Sequence, residues 1–229
     1  MSVREEFDRW AREGRDRGME DRHWHTAKHA LAWLPVESDD VVLDLGTGSG
    51  YAARALRAVY DAGRAYGLDG APEMARNAAT YTDDPRVGYV VGDFEHLPFD
   101  ADAVDRCFSM ESFYYARDPH AALRELRRVL SPGGTFACAV DYFEESVHTR
   151  QWADWVDVPM TRWSEAQYRT AFREAGFHVA VQNRVPDRET EIPPAEAFPT
   201  EEFDSRTAMV ERYREHGTLV TVGVAPAPE

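Results

Sequence analysis

From Val41 onward the chain alternates short apolar runs with amphipathic stretches, the rhythm of a parallel sheet covered by helices. Residues 41–45 (VVLDL) read as a first strand, and residues 51–60 as a helix whose Ala55, Leu56 and Val59 share one face. A second strand is predicted over 64–69, a helix over 71–82 opened by Pro72, and a third strand over 87–93. Residues 103–110 give a fourth strand, after which Asp118 and Pro119 supply the N-cap and first-turn proline of a helix to Leu130, with Leu123 and Leu126 on its apolar side. Beyond the turn Ser131-Pro132-Gly133-Gly134 come a fifth strand over 135–141 and a helix over 164–175, capped by Ser164 and ended by Gly176. A sixth strand over 177–185 and a closing strand over 218–225 complete the series. The pattern predicts an α/β fold with a doubly wound, mostly parallel seven-stranded sheet and helices on both faces.

Three segments stand outside the alternation: residues 1–35, 142–163 and 186–217. The first carries Phe7, Trp10, His23, Trp24 and His25, and the second Tyr142, Phe143, Trp152, Trp155 and Trp163, side chains of the kind that wall apolar pockets. Residues 1–35 are expected to form a helical lid over a domain spanning 36–229, with the other two segments as lid insertions. Packing of the same aromatics onto the sheet is the competing account.

With 229 residues, 43% of them hydrophobic, the chain has the material for one α/β domain with embellishments. No run approaches the ~18 apolar residues that a membrane span requires. The opening MSVREEFDRWAREGRDRG is charged throughout and lacks the apolar run of a signal peptide, which predicts a cytoplasmic protein. Forty-one acidic against 26 basic residues give a net charge of −15, a field that repels phosphate backbones and anionic lipid, so neither nucleic acid nor membrane is expected as a partner. Lys28 is the one lysine. Acid excess with almost no lysine resembles the proteins of salt-loving archaea and bacteria; a GC-rich genome is the other source of so many arginines. Cys107 and Cys138 lie in strand-like runs and read as buried thiols, and no metal site is predicted.

Candidate chemistry begins at Asp44-Leu45-Gly46-Thr47-Gly48-Ser49-Gly50, where a buried strand runs into a glycine turn that opens a helix. Ligands of open parallel sheets bind beyond the carboxyl ends of the strands, and glycines there let backbone approach ligand closely. The spacing is G-x-G-x-G, whereas a dinucleotide fingerprint needs glycine where Tyr51 stands, and a phosphate loop needs a following Lys-Ser/Thr pair that is missing.

This loop, with its acid two residues before the first glycine, resembles motif I of the class I S-adenosylmethionine-dependent methyltransferases, in their widespread small-molecule branch (type 11). The resemblance runs over about residues 36–185 and includes Gly67-Leu68-Asp69, Val90-Val91-Gly92-Asp93-Phe94, Leu97-Pro98-Phe99 and the Ser131-to-Gly134 turn. It implies a Rossmann-like sheet and S-adenosylmethionine as cofactor. Asp44 and the carbonyls of Gly46 and Met110 would surround its ammonium, with Thr47, Gly48 and Gly50 shaping the loop. Asp69 would take the ribose hydroxyls, Gly70 would lie on the adenine side, and Asp93 with Phe94 would meet the purine. A site edged by Asp44, Asp69 and Asp93 is also electrostatically wrong for a pyrophosphate and right for a sulfonium.

Methyl transfer asks mainly for alignment and exclusion of water, so few catalytic side chains are needed. Glu111, Tyr114 and Tyr115, just after the fourth strand, are the candidates to take a proton from the acceptor or orient it. His25, beside Trp24 and His23 in the predicted lid, is a further candidate base. The expected acceptor is a small molecule, an amine held by cation–π contact or an aromatic hydroxyl held by stacking. A cofactor-binding module without turnover, a nicotinamide oxidoreductase and an aminopropyl transferase are the alternatives. Monomer and homodimer are both compatible with the sequence.

Overall fold

The computed structural model describes residues 1–156 and 158–227. Helices α1 (Val3–Arg12) and α2 (Met19–Leu31) precede β1 (Val41–Leu45), α3 (Tyr51–Ala58), β2 (Arg64–Asp69), α4 (Pro72–Thr80), β3 (Val87–Val91) and β4 (Val104–Met110). There follow α5 (Pro119–Val129), β5 (Leu130–Val140), the single turn α6 (Trp152–Trp155), α7 (Glu165–Glu174) and β6 (His178–Val185). The short α8 (Arg206–Val210) runs into a π-helical turn, Glu211–His216, before β7 (Thr218–Val224). The strand order is β3-β2-β1-β4-β5-β7-β6, with β7 antiparallel to both neighbours and the remaining pairs parallel.

Alternation along β1 builds both cores, because successive side chains point to opposite faces. Leu43 and Leu45 join Leu123, Leu126, Phe136 and Phe172 under α5 and α7, while Val42 joins Leu31, Ala52 and Leu56 under α2 and α3. Full burial of a leucine such as Leu31 contributes about 1.5–3 kcal/mol. Helix ends follow local chemistry: Ser2 and Ser164 make capping boxes with Glu5 and Gln167, and the Asp118 side chain accepts from Ala121 N–H at 3.0 Å.

Two boundaries differ from expectation. The Ser131-to-Gly134 turn lies within β5: Leu130 pairs with Val104, pairing shifts register, and it resumes at Arg106 with Thr135. Gly133, at φ +81°, donates to Ala225 O at 2.8 Å, so the irregularity is stitched to the strand beyond. Residues 1–35 are also more than a lid. Ala27, Ala30 and Leu31 of α2 are fully buried against the sheet, whereas α1 and the first residue of α2, Met19, meet the loops at its carboxyl edge.

Candidate active site

Parallel register brings the ends of β1, β2 and β3 to one edge, with Asp44 opposite Gly67 and Asp69 opposite Val91. Asp44, 2% exposed, accepts from Thr47 Oγ1 at 2.5 Å and from Ala53 N–H at 3.1 Å. Asp69 accepts from Gly48 N–H and Ala71 N–H, both at 2.9 Å. Burial, with each carboxylate near the other, pushes Asp44 up to about 7, and burial pushes Asp69 up to about 6. Neither has an ion pair among the described residues. The loop between them is pinned by Gly46 and Thr47 N–H donating to Leu68 O. At Gly48, φ is +52° and an added Cβ would lie 2.8 Å from Met19 Sδ, so this glycine admits the first residue of α2 against the loop.

Helix α1 is strapped over the same edge. Arg4 Nε donates to Gly70 O at 2.7 Å, Glu73 N–H donates to Asp8 Oδ1 at 2.9 Å, and Phe7 meets Tyr115 edge-on at 5.0 Å. Phe94 lies beside Gly46, where a Cβ would come within 3.2 Å of its ring. Asp93 stands two residues past the end of β3 and is exposed. One of its oxygens accepts from Arg117 Nη2 at 2.7 Å and the other from Glu95 N–H at 3.1 Å.

A second cluster lies past β4 and β5. Glu111 adopts φ +53°, a strained backbone for a residue with a side chain, and its N–H donates to Ala139 O at 3.0 Å. Its carboxyl accepts from Asp141 N–H and, at 3.0 Å, from the Tyr114 hydroxyl. Tyr115 packs on Tyr114 at 4.6 Å. Arg212, carried inward by the π-helical turn, donates to Asp141, which also accepts from Thr218 Oγ1 at 2.5 Å. Burial and the neighbouring Asp141 hold the Glu111 carboxyl well above its usual range, which favours the protonated form.

The structure thus gathers Glu111, Tyr114, Tyr115 and Met110 at one end of the site and the glycine loop with Asp44 and Asp69 at the other. His25 is not among them: its Nδ1 pairs with Glu189 at 3.1 Å on the outer side of α2, where Lys28 shares the same carboxylate. The inward ring is His23, which burial pushes down to about 4. Residues two apart on a helix point in different directions, so only one of the pair can face the sheet. Arg212 and Tyr51 are functional candidates that sequence reasoning missed. Arg212 enters through a π turn that no periodicity foretells, whereas Tyr51, next to the last loop glycine, could have been singled out by position.

The family described as "Methyltransferase domain" matches residues 43–138. Malonyl-[acyl-carrier protein] O-methyltransferase of Halorhodospira halophila is 37% identical over 120 residues, 51% of this chain and 39% of that protein. Sterol 24-C-methyltransferase of Kluyveromyces lactis is 27% identical over 180 residues, 72% of this chain and 48% of that one. The matched region therefore covers less than half of these curated relatives. Among solved structures, the methyltransferase chain from a complex with the Haloferax volcanii Trm112 methyltransferase activator superposes with a TM-score of 0.96. It is 61% identical, with 99% of this chain and 100% of that chain covered. This chain belongs to the class I S-adenosylmethionine-dependent methyltransferases. An S-adenosylmethionine-dependent methyltransferase of Mesorhizobium loti, 18% identical with a TM-score of 0.69 over 86% of this chain and 96% of that one, shares the fold.

The cofactor of this methyltransferase family is S-adenosylmethionine, and the residues here fit it. Asp44, buried, and Asp69, partly buried, have no ion pair among the described residues, and a ligand carrying an ammonium and a sulfonium would compensate the cost of holding them there.

Proposed function

We propose that the protein transfers a methyl group from S-adenosylmethionine to a small-molecule acceptor held between α1–α2, the segment 142–163 and the π-helical turn. The observation that carries this reading is the pair of carboxylates Asp44, buried, and Asp69, partly buried, both without an ion pair among the described residues, flanking a glycine loop whose spacing departs from the dinucleotide fingerprint. Asp44 with the carbonyls of Gly46 and Met110 would hold the cofactor's ammonium, Asp69 the ribose, and Phe94 with Asp93 the purine, once Asp93 exchanges its Arg117 pairing. The cofactor supplies an electrophilic methyl on a positively charged sulfur. The protein's part is to align the acceptor and exclude water, the task of the lid residues Phe7 and Met19 and of Glu111, Tyr114 and Tyr115. The small acceptor is supported by enclosure: Tyr114, Tyr142 and Phe143 are buried, and Trp152 and Trp163 close over them.

Calorimetric titration with S-adenosylmethionine, S-adenosylhomocysteine and NAD tests the reading. Binding of the first two and not of NAD is expected; a folded sample that binds neither adenosyl compound rules it out. The 61% identical chain was solved with the Trm112 methyltransferase activator. A Trm112-type protein is accordingly proposed as a partner here, to be checked by co-expression and size-exclusion chromatography. Separate elution of the two proteins would reject it.

A further inference from the structure

Near the carboxyl edge of the sheet, two buried hydrogen-bond donors, on Arg212 and Tyr51, lack an acceptor among the described residues. Arg212, 3% exposed, donates from Nη2 to Asp141 and from Nη1 to Gly217 O at 3.3 Å. Its Nε–H has no acceptor among the described residues. The Tyr51 hydroxyl, on a residue 7% exposed, is likewise without a partner. An orphaned buried donor costs about 1–3 kcal/mol, so two of them around one cluster mark a place where ligand oxygens belong. Tyr51 feels the charges of Asp44 first and then of Glu111, Glu20 and Asp141, and Arg212 is paired with Asp141 and close to Glu111, so Tyr51 stands between the glycine loop and this cluster. His23, at 6.5 Å from the Tyr51 ring, feels both Asp141 and Arg212.

The balance of charge points the same way. Glu111 favours its protonated form, His23 is neutral, and Asp141 is matched by Arg212. A cationic acceptor would approach the Arg212 guanidinium and leave both free donors unmet. An anionic oxygen would satisfy them. Trp152 and Tyr213, whose rings lie 5.4 and 5.1 Å from the guanidinium carbon, would flank such a group with flat apolar surface.

We propose that the methyl acceptor presents an oxyanion, a carboxylate or an ionised ring hydroxyl, to Arg212 and Tyr51. The inference rests on the methyltransferase reading above and narrows its acceptor to this class. The acceptor oxygen forms the new O–CH3 bond as the S–CH3 bond breaks and its electron pair stays with sulfur. Anion and sulfonium neutralise each other, and no proton has to leave.

The test uses the full-length protein saturated with S-adenosylhomocysteine, in KCl sufficient to keep it folded, titrated calorimetrically with benzoate, 4-nitrophenolate and benzylamine. At least one oxyanion is expected to bind about tenfold or more tightly than benzylamine, and the arm that binds separates carboxylate from ionised hydroxyl. Tyr51→Phe is expected to weaken that binding by about tenfold with S-adenosylhomocysteine affinity and Tm preserved, since it removes a donor that has no partner in the free protein. Arg212→Met is expected to weaken it further; Tyr51→Phe keeps the test decisive if that variant does not fold. Benzylamine binding as tightly as the oxyanions, no binding of either oxyanion, or an oxyanion affinity indifferent to Tyr51→Phe overturns the proposal. Failure of the folded protein to bind S-adenosylhomocysteine would instead remove the methyltransferase reading itself.

Discussion

Asp44 and Asp69 give up hydration on folding and gain only neutral donors in return, namely Thr47 Oγ1 and the N–H groups of Ala53, Gly48 and Ala71. The Asp44 carboxyl rises from 3.8 in the unfolded chain to about 7 in the folded one, and the sign of its contribution follows. Between those values the folded state binds a proton that the unfolded state has released, so this residue's share of stability falls as pH rises from about 4 to 7. Cofactor binding runs the other way, because the ligand's ammonium is matched by the carboxylate form. Affinity for S-adenosylhomocysteine is expected to climb between about pH 5.5 and 7.5, by at most about tenfold per unit for this one proton, and to level off above. Calorimetry across that range checks it, and a flat profile would mean that Asp44 does not meet the ligand. Asp44→Asn keeps the shape and removes the charge: S-adenosylhomocysteine affinity should fall by about 10–100-fold while the ligand-free Tm at neutral pH holds or rises. A lower Tm with unchanged affinity would assign Asp44 a purely structural role. At the other end of the site, Tyr114→Phe strips Glu111 of a hydrogen bond inside a dry cluster. It should cost about 1–3 kcal/mol of stability in denaturant unfolding.

At the scale of elements, the sheet was legible because its signals are local and redundant: apolar runs of strand length, glycine turns after them, and capped amphipathic helices between. All seven strands fall where these signals place them, and strand ends stay within a few residues, apart from β5, whose pairing reaches back through a Pro-Gly-Gly irregularity. Asp44, Asp69 and Asp93 could be placed along one sheet edge for the same reason, since each lies at or within two residues of the carboxyl end of a strand. The cluster past β4 and β5 was legible only in part. Glu111, Tyr114 and Tyr115 follow β4 directly, but Arg212 is brought in from about a hundred residues away, by a π turn whose extra residue per turn breaks the spacing that reveals helices. Helix α2 hid its double character because one 13-residue stretch carries both a core face, Ala27 to Leu31, and an end, Met19 to Trp24, that meets the glycine loop and Tyr51. The lid role of α1 has its own test. Phe7 bridges Trp10 and Tyr115, and Phe7→Ala opens that seam without touching the sheet. The expected result is S-adenosylhomocysteine dissociation faster by several-fold in stopped flow, with about 1–2 kcal/mol lost in unfolding. Unaltered dissociation would leave α1 a structural strap.

For the whole molecule the governing quantity is a net charge of −15 on 229 residues, with arginine supplying 25 of the 26 basic side chains. Arginine's fork geometry suits the local pairs that interrupt the acidic surface, such as Arg57 between Asp61 and Asp84 and Arg117 between Asp93 and Glu95. These pairs neutralise neighbours and leave the long-range excess in place. At about 0.1 M salt the screening length is about 10 Å and distant carboxylates still repel one another; at about 1 M it is about 3 Å and only the paired contacts are felt. Folding compresses the acidic groups, so the repulsion is larger in the folded state and salt relieves it preferentially there. Loss of attraction in exposed pairs, each contributing about 1 kcal/mol or less, is the opposing effect, and with 15 uncompensated charges it should be outweighed. Raising KCl from about 0.1 to 2 M is therefore expected to increase Tm by at least about 5 °C, a gain of a couple of kcal/mol for a chain of this size. Scanning calorimetry with KCl, and with sucrose at matched osmolality as the uncharged control, separates screening from preferential exclusion. A Tm that falls with KCl, or rises equally in sucrose, would show that the acidic surface is not what limits stability.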